Sequence, residues 1–245
     1  KFSFPSKKRK VGKLIWFHGA SVGELLSVIP IIKIYEKKKS INQILVTSST
    51  LSSSKVFEKY NFKKTIHQFY PIDHFIFTNR FLKFWKPDLA IFIDSEIWPS
   101  MFKNLKSRKI PLVLLNARFT KKTFNRWIKI KSFFKSVLEN VTIAYPQNLE
   151  TRNFLKKMKI NNIKLIGNIK FAENNNKFND KLNESLNSEL VKKKIWVASS
   201  THKNEEIFCA KSHLELKKKI KNLITIIIPR HVHRIEEIKK SIEKL

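Results

Sequence analysis

Short apolar runs alternate with amphipathic stretches along most of the 245-residue chain. A short continuous apolar run fits a strand that is buried on both faces, whereas apolar residues at every third or fourth position fit a helix with one buried face. This alternation predicts a parallel α/β sheet covered by helices. The predicted strands of the first part of the chain are residues 13–17, 43–47, 66–70, 89–94, 112–116, 142–145 and 164–166. The predicted helices include residues 24–38, 53–59, 76–84 and 123–139.

Residues 172–194 break this rhythm, because apolar residues become scarce and Asn, Lys, Glu and Ser prevail. The stretch predicts a linker with room for one short helix. The alternation then restarts with a strand at 195–198, a helix at 204–218, a strand at 223–228 and a helix that starts near 232. We therefore predict an N-terminal domain at 1–171, a linker at 172–194 and a second α/β domain at 195–245, without internal repeats.

Composition favours a folded, strongly basic protein. Hydrophobic residues make up 42% of the chain, and the formal net charge is +31. Such a charge predicts attraction to nucleic acid, anionic lipid or a phosphorylated substrate. Abundant Lys, Asn, Ile and Phe beside scarce Gly also fit AT-rich codon usage, so we expect part of the charge on solvated faces. The single cysteine, Cys209, excludes internal disulfides, and the lack of a run of about 20 apolar residues predicts no membrane-spanning helix.

Polar clusters follow six of the predicted strands. They are His18–Glu24, Asp94–Pro99, Asn116–Arg118, Gly167–Lys170, Ser199–His202 and Pro229–His231. Because ligands bind at the carboxyl ends of parallel strands, this layout predicts a binding cleft.

A structural explanation remains open for each cluster taken singly. Ser21-x-x-Glu24 has the spelling of a helix capping box, and Asp94 and Glu96 are charges that a helix N-terminus favours. Thr201 also fits a helix cap. Capping does not explain why three of only four glycines stand at 19, 23 and 167.

Several chemistries are not indicated. The sequence has no Gly-x-Gly-x-x-Gly, no P-loop and no Gly-x-Ser-x-Gly elbow. No Cys/His set has zinc spacing, His231-x-His233 lacks a third ligand, and no Asp-x-Asp pair is present to hold a metal-bound nucleotide. We therefore predict neither a metal nor a cofactor.

Six motifs together resemble one family, the Kdo (3-deoxy-D-manno-octulosonic acid) transferases of lipopolysaccharide synthesis. They occur in the family's order over nearly the whole chain. They are HGASVGE (18–24), DSEIWPS (94–100), IPLVLLNARFT (110–120), GNIKF (167–171), SSTHKNEE (199–206) and PRHVHR (229–234).

The resemblance implies a GT-B-type glycosyltransferase, in which two Rossmann-like domains face each other across a cleft. It implies a metal-independent, inverting enzyme that moves Kdo from CMP-Kdo to the 6′-hydroxyl of the lipid A precursor. The expected partners are CMP-Kdo, that anionic lipid and the inner-membrane surface, with no nucleic acid. The expected location is the cytoplasmic face of the bacterial inner membrane.

The resemblance also assigns roles to residues. Glu24 resembles the general base, and Glu96 and Lys170 resemble positions that stabilise the transition state. Donor-site candidates in the second domain are Pro229, Arg230, Ser200, Thr201 and His202.

The family's N-terminal membrane anchor and the later segments of the CMP pocket are absent from this sequence. We therefore expect an incomplete chain with a truncated second domain, weak CMP binding and little transfer. Two rival interpretations are a GT-B transferase that uses another nucleotide sugar, and a basic nucleic-acid-binding protein. The aromatic residues fall within apolar strand and helix patterns, not on basic platforms, which disfavours the second rival.

Overall fold

The computed structural model describes residues 2–55, 57–160, 162–171 and 189–245. The chain divides into two compact units, Lys1–Asn176 and Lys177–Leu245. Most of the predicted linker, residues 172–188, lies outside the described ranges, so the predicted domain boundaries stay predictions.

Six parallel strands form the sheet of the first unit. They are β1 (Leu14–His18), β2 (Gln43–Ser48), β3 (Thr65–Phe69), β4 (Leu89–Ile93), β5 (Leu112–Ala117) and β6 (Ile143–Pro146). Their order across the sheet is β3-β2-β1-β4-β5-β6, which is the doubly wound Rossmann order. The order reverses between β1 and β4, so the carboxyl ends of these two strands flank the crevice where such sheets bind ligands.

The central strands are buried on both faces, which explains their continuous apolar sequence. Successive side chains of a strand point to opposite faces. Trp16 accordingly packs with Phe92 and Phe102 in one core cluster. Its neighbour Phe17 packs with Ile91 in the cluster on the other face.

In the described part of the first unit, seven helices connect the strands or follow β6. They are α1 (Val22–Lys37), α2 (Leu51–Ser54), α3 (Phe75–Trp85), α4 (Pro99–Ser107), α5 (Lys121–Lys129), α6 (Lys131–Leu138) and α7 (Leu149–Lys157). Two short 3-10 helices lie at Phe57–Lys59 and Ile169–Phe171. No helix in the described ranges is long and apolar enough to cross a membrane.

The second unit repeats the α/β rhythm on a smaller scale. Its elements are β7 (Lys194–Thr201), α8 (Glu205–Lys219), β8 (Leu223–Pro229), a 3-10 helix (Val232–Arg234) and α9 (Ile235–Ile242). The two strands pair in parallel. Both predicted strands and both predicted helices of this region are therefore confirmed.

The first six predicted strands are confirmed within about two residues at each end, but the seventh, at 164–166, is wrong. Ile163 makes one isolated β-bridge to Ala144, and residues 164–166 form no strand. Leu165 and Ile166 are 40% and 57% exposed. Their apolar character does not reflect burial between two layers, which is the condition that makes an apolar run a reliable strand signal.

Three helix predictions need correction. The helix predicted at 123–139 is two helices, α5 and α6, which are interrupted at Ile130. The one predicted at 53–59 is represented by the short α2 and the 3-10 helix Phe57–Lys59. A proline inside the helix predicted at 24–38 is expected to kink or restart it, but α1 continues through Pro30 without a restart. Pro30 removes the hydrogen bond to the carbonyl of Leu26, an exposed residue where water can replace that bond.

A carboxylate from a distant loop caps helix α4. The N-cap residue Trp98 offers no side-chain cap, and Pro99 has no N–H. Asp73 instead accepts hydrogen bonds from the N–H groups of Ser100 and Met101, at 3.0 and 2.9 Å. The loop before α3 is thereby fixed to the start of α4, directly after the polar cluster of β4.

Replacing Asp73 with Ala should lower the free energy of unfolding by about 1–2 kcal/mol, since two N–H groups at a helix start lose their acceptor. Urea denaturation measures this change. Glu139→Ala is the control, because Glu139 forms an exposed ion pair with Lys135, and loss of such a pair should change stability by less than about 0.5 kcal/mol. Equal midpoints for the two variants would contradict the capping role.

Candidate active site

Glu24 lies in the first turn of α1, just after the connection from β1, at the carboxyl edge of the sheet. Ser21 is the N-cap of α1, and its hydroxyl oxygen accepts a hydrogen bond from the N–H of Glu24. The Glu24 side chain folds back towards the residues that precede α1. Its Oε2 accepts from the N–H of Ala20 at 2.8 Å, and its Oε1 accepts from the Ser21 hydroxyl at 2.8 Å. The helix cap predicted from the sequence is therefore present, with Ala20 as the backbone donor.

Gly19, which precedes α1, and Gly23, in its first turn, differ in their surroundings. A Cβ atom on Gly19 would lie 3.1 Å from Leu25, 3.2 Å from the Cβ of Glu24 and 3.3 Å from Ile93. A side chain at position 19 would therefore crowd the turn that carries the carboxylate. A Cβ atom on Gly23 would meet nothing within 4 Å, so packing within the first unit does not require glycine there.

The environment of Glu24 makes it a more basic carboxylate than usual. Burial raises the pKa of Glu24 above its ordinary value, and the hydrogen bonds from Ser21 and Ala20 act in the opposite direction. The negative charges of Glu96 and Asp94 raise the pKa further. A carboxylate with a raised pKa accepts a proton more readily near neutral pH, which is the property of a general base.

Glu96 lies in the loop after β4 and is held by two ring donors. Its Oε2 lies 3.1 Å from Nε2 of the fully buried His18 and 2.9 Å from Nε1 of Trp98. On the other side of the imidazole, Nδ1 lies 3.0 Å from the hydroxyl of Thr47. That hydroxyl accepts a hydrogen bond from Nε1 of Trp16 at 2.9 Å. A buried chain of hydrogen bonds therefore runs from the core to Glu96.

The partners in this chain determine where the imidazole carries a proton. An ionised Glu96 only accepts hydrogen bonds, so Nε2 of His18 must donate. Nδ1 then accepts from the Thr47 hydroxyl in the neutral ring, or donates to the carbonyl of Thr47, 3.2 Å away, in the imidazolium ion. Tyr70 stacks on the ring at a centroid distance of 4.0 Å and fixes its plane. His18 thus orients the Glu96 carboxylate in either protonation state.

Asp94, the first residue after β4, forms an ion pair with Lys170. The Lys170 ammonium lies 3.4 Å from Oδ2 of Asp94. The lysine side chain is 40% exposed and the aspartate side chain 12% exposed. The pair joins the loop after β4 to the 3-10 helix Ile169–Phe171. The structure therefore brings Glu24, Glu96 and Lys170 to one edge of one sheet, with Asp94 as an additional charged member.

The second unit collects its predicted residues at the ends of β7 and β8. Pro229 ends β8, and the N–H of Arg230 donates to the carbonyl of Thr201 at 3.0 Å. Ser200 has a positive φ of 60° at a register shift of β7. Ser200 and His202 are exposed, whereas Thr201 is buried.

A buried ion pair supports these strand ends. Glu206 accepts two hydrogen bonds from the Arg234 guanidinium, at 3.0 and 3.2 Å, and one from the Thr201 hydroxyl at 3.0 Å. Burial opposes ionisation of Glu206, but the hydrogen bonds from Arg234 leave its pKa below the ordinary value. The fork therefore fixes the Thr201 end of β7 against the segment that follows β8.

The sequence marks His18 and Asp94 as polar strand ends and Glu206 as a charge near a helix start, but it indicates no functional role for them or for Arg234. Glu206 and Arg234 also lie inside the motifs SSTHKNEE and PRHVHR, respectively. In the described part of the chain, no three His, Cys, Asp or Glu residues are grouped so that they could hold a metal ion.

The fold class follows from comparison with solved structures. A UDP-GlcNAc 2-epimerase from Neisseria meningitidis, bound to UDP-GlcNAc, superposes with a TM-score of 0.66 and 14% sequence identity, over 95% of this chain and 68% of that one. The protein is an α/β chain of the GT-B type, with a six-stranded Rossmann-like sheet in its first unit.

The family follows from the sequence comparisons. The family model described as 3-deoxy-D-manno-octulosonic-acid transferase (kdotransferase) matches residues 1–173. A 3-deoxy-D-manno-octulosonic acid transferase of Rickettsia felis is 38% identical over 92% of this chain, and one of Haemophilus influenzae is 30% identical over 94%. The chain therefore belongs to the Kdo transferase family. It spans about half the length of these curated relatives, 48% and 55% respectively.

The electrostatic coupling at this edge can be measured directly. Glu96→Gln should lower the pKa of Glu24, because it removes a negative charge that disfavours ionisation of Glu24, while the amide oxygen can still accept from His18 and Trp98. A carbon-detected NMR titration of the Glu24 carboxyl group would measure the shift. Glu215→Gln, which removes an exposed carboxylate of the second unit, should leave the titration unchanged. An unaltered Glu24 pKa in the Glu96 variant would contradict the coupling.

Proposed function

We propose that the protein containing this chain is an inverting, metal-independent transferase that moves Kdo from CMP-Kdo to the 6′-hydroxyl of the lipid A precursor. The observation that carries the proposal is the Glu24 carboxylate at the reversal of strand order, with its pKa raised by burial and by Glu96 and Asp94. Membership of the Kdo transferase family supports the choice of sugar.

In the proposed reaction, the acceptor hydroxyl oxygen attacks the anomeric carbon of Kdo. The bond between that carbon and the phosphate oxygen of CMP breaks, and the electron pair leaves with CMP. The hydroxyl proton passes to Glu24, which must be ionised at the start. A single displacement from the face opposite CMP inverts the anomeric configuration.

Glu96 and Lys170 have complementary roles in this proposal. The anomeric centre gains positive character as CMP departs, and a fixed negative charge such as Glu96 stabilises it. Two ring donors hold Glu96 in place, so little reorganisation is needed during the reaction. Lys170 keeps an exposed ammonium beside Asp94 and is suited to the negative charge that develops on the departing phosphate or to the Kdo carboxylate.

The second unit is proposed to bind the CMP part of the donor. Ser200, His202 and Arg230 are exposed at adjoining strand ends, and Pro229 directly precedes Arg230. The Arg230 guanidinium suits a phosphate monoester. Thr201 is buried with its hydroxyl bound to Glu206, so we assign it the task of shaping this edge.

We place the protein at the cytoplasmic face of the inner membrane, where an anionic lipid acceptor is available. A net charge of +31 supports this location, since basic residues near anionic lipid each contribute about 1 kcal/mol to binding.

Product analysis tests the proposal. The natural protein that carries this sequence should add the mass of one or more Kdo groups to lipid A precursor in the presence of CMP-Kdo, as measured by mass spectrometry. Turnover of a UDP-sugar with CMP-Kdo left untouched would favour a different GT-B transferase.

Glu24→Gln tests the general base. The amide oxygen can accept from Ala20 and the amide N–H can donate to Ser21, so the turn should stay folded, while proton transfer is lost. We expect a melting temperature within a few degrees of the unmodified protein and a rate lower by about 10²–10⁴-fold. Glu215→Gln is the control, with an unchanged rate. Full activity of the Glu24 variant would exclude Glu24 as the base.

A further inference from the structure

The carboxyl end of β5 contains a bulge at Asn116. In the pairing with β6, Leu115 is opposite Tyr145 and Ala117 is opposite Pro146, so Asn116 is skipped. Asn116 has a positive φ of 56°, a conformation that Asn tolerates better than most residues. Bulges redirect side chains beside active sites. Here the bulge buries the Asn116 side chain completely.

The buried carboxamide anchors a distant segment. Its Oδ1 accepts a hydrogen bond at 3.1 Å from the N–H of Ile169, 53 residues later in the chain. Ile169 opens the 3-10 helix that contains Lys170, and its side chain packs on the core cluster that includes Leu115. Gly167, with a φ of 85°, provides the turn before it. Asn116 therefore fixes the backbone directly next to Lys170.

The ion pair with Asp94 is too weak to position Lys170 alone. Lys170 is 40% exposed, and ion pairs at exposed sites contribute little to stability. Ordering a long lysine side chain costs conformational entropy that such a pair does not offset. A defined position of the Lys170 ammonium group therefore requires that the backbone next to Lys170 be held in place. The hydrogen bond from the N–H of Ile169 to Asn116 holds it there.

The NH2 group of the Asn116 carboxamide plays no structural role among the described residues. Its Nδ2 is buried and makes no hydrogen bond there, and leaving a buried donor unsatisfied destabilises the fold. Glycine would adopt the same positive φ without this cost. The feature that distinguishes Asn from Gly at this position is the acceptor for Ile169.

We propose that Asn116 is a positioning residue that acts through Lys170: the bulge of β5 and its carboxamide hold Ile169 so that the Lys170 ammonium stays at Asp94. The catalytic part of this inference rests on the function proposed above for Lys170. The anchoring part rests on geometry alone.

Asn116→Gly tests the anchor, because it keeps the positive φ and removes the acceptor. Hydrogen exchange followed by NMR should show the Ile169 amide exchanging about tenfold faster, since its hydrogen bond is lost. Asn116→Asp retains an acceptor oxygen and should keep Ile169 protected. Unchanged Ile169 exchange in Asn116→Gly would overturn the proposal. This measurement needs no substrate, so it stands apart from any failure of the proposed function.

Kinetics test the action through Lys170. In the natural protein, Asn116→Gly should lower kcat about 10- to 100-fold with little change in KM, as expected for a misplaced catalytic group. In a Lys170→Met background the same substitution should have no further effect on kcat, because its target is gone. Additive losses in the double variant would overturn the proposal.

Asn104→Ala is the matched control for loss of a buried carboxamide. Asn104 lies in α4 and donates to the carbonyl of Phe75 and the hydroxyl of Thr78. The variant should lose stability while Ile169 exchange and kcat stay unchanged. A fall in kcat equal to that of Asn116→Gly would attribute both losses to general destabilisation and overturn the inference.

Discussion

The reversal of strand order between β1 and β4 is the constraint on which the candidate site depends. It places two loops side by side at one edge of the sheet, and each loop brings carboxylates: Glu24 from one, Asp94 and Glu96 from the other. The negative charges of Glu96 and Asp94 disfavour ionisation of Glu24 and raise its pKa, together with burial. In a chain with a net charge of +31, this edge is a local cluster of acids. The basic excess suits attraction of anions, and the acids suit chemistry on a hydroxyl group.

Burial explains which parts of the fold were predictable. The six strands of the first sheet were predicted because helices cover both faces of its centre, and their apolar runs are correspondingly continuous. The strand predicted at 164–166 failed because Leu165 and Ile166 are apolar but exposed. The interruption at Ile130 carries neither Gly nor Pro, the residues that mark a helix break in a sequence, so the pattern predicts one continuous helix there.

The motifs name candidate site residues, but they do not predict which residues these candidates contact. Glu24 has its hydrogen-bond partners nearby in the sequence, at Ala20 and Ser21, whereas Glu96 and Lys170 each have a partner far away in the sequence. His18 meets Glu96 across 78 positions, and Asp94 meets Lys170 across 76. Such pairings depend on strand order and loop conformation. The positive φ angles of Asp94 and Asn116 likewise became visible only in the folded chain.

Glu24 can cap its helix and still accept a proton. An ionised carboxylate has about four lone-pair directions. Each oxygen of Glu24 uses one, for the N–H of Ala20 and the O–H of Ser21, so each keeps another for an acceptor hydroxyl. These two donors stabilise the ionised form, whereas burial and the neighbouring acids destabilise it, and the net effect raises the pKa. The cap therefore holds the carboxylate that we propose as the base, and it limits how far the pKa of Glu24 rises.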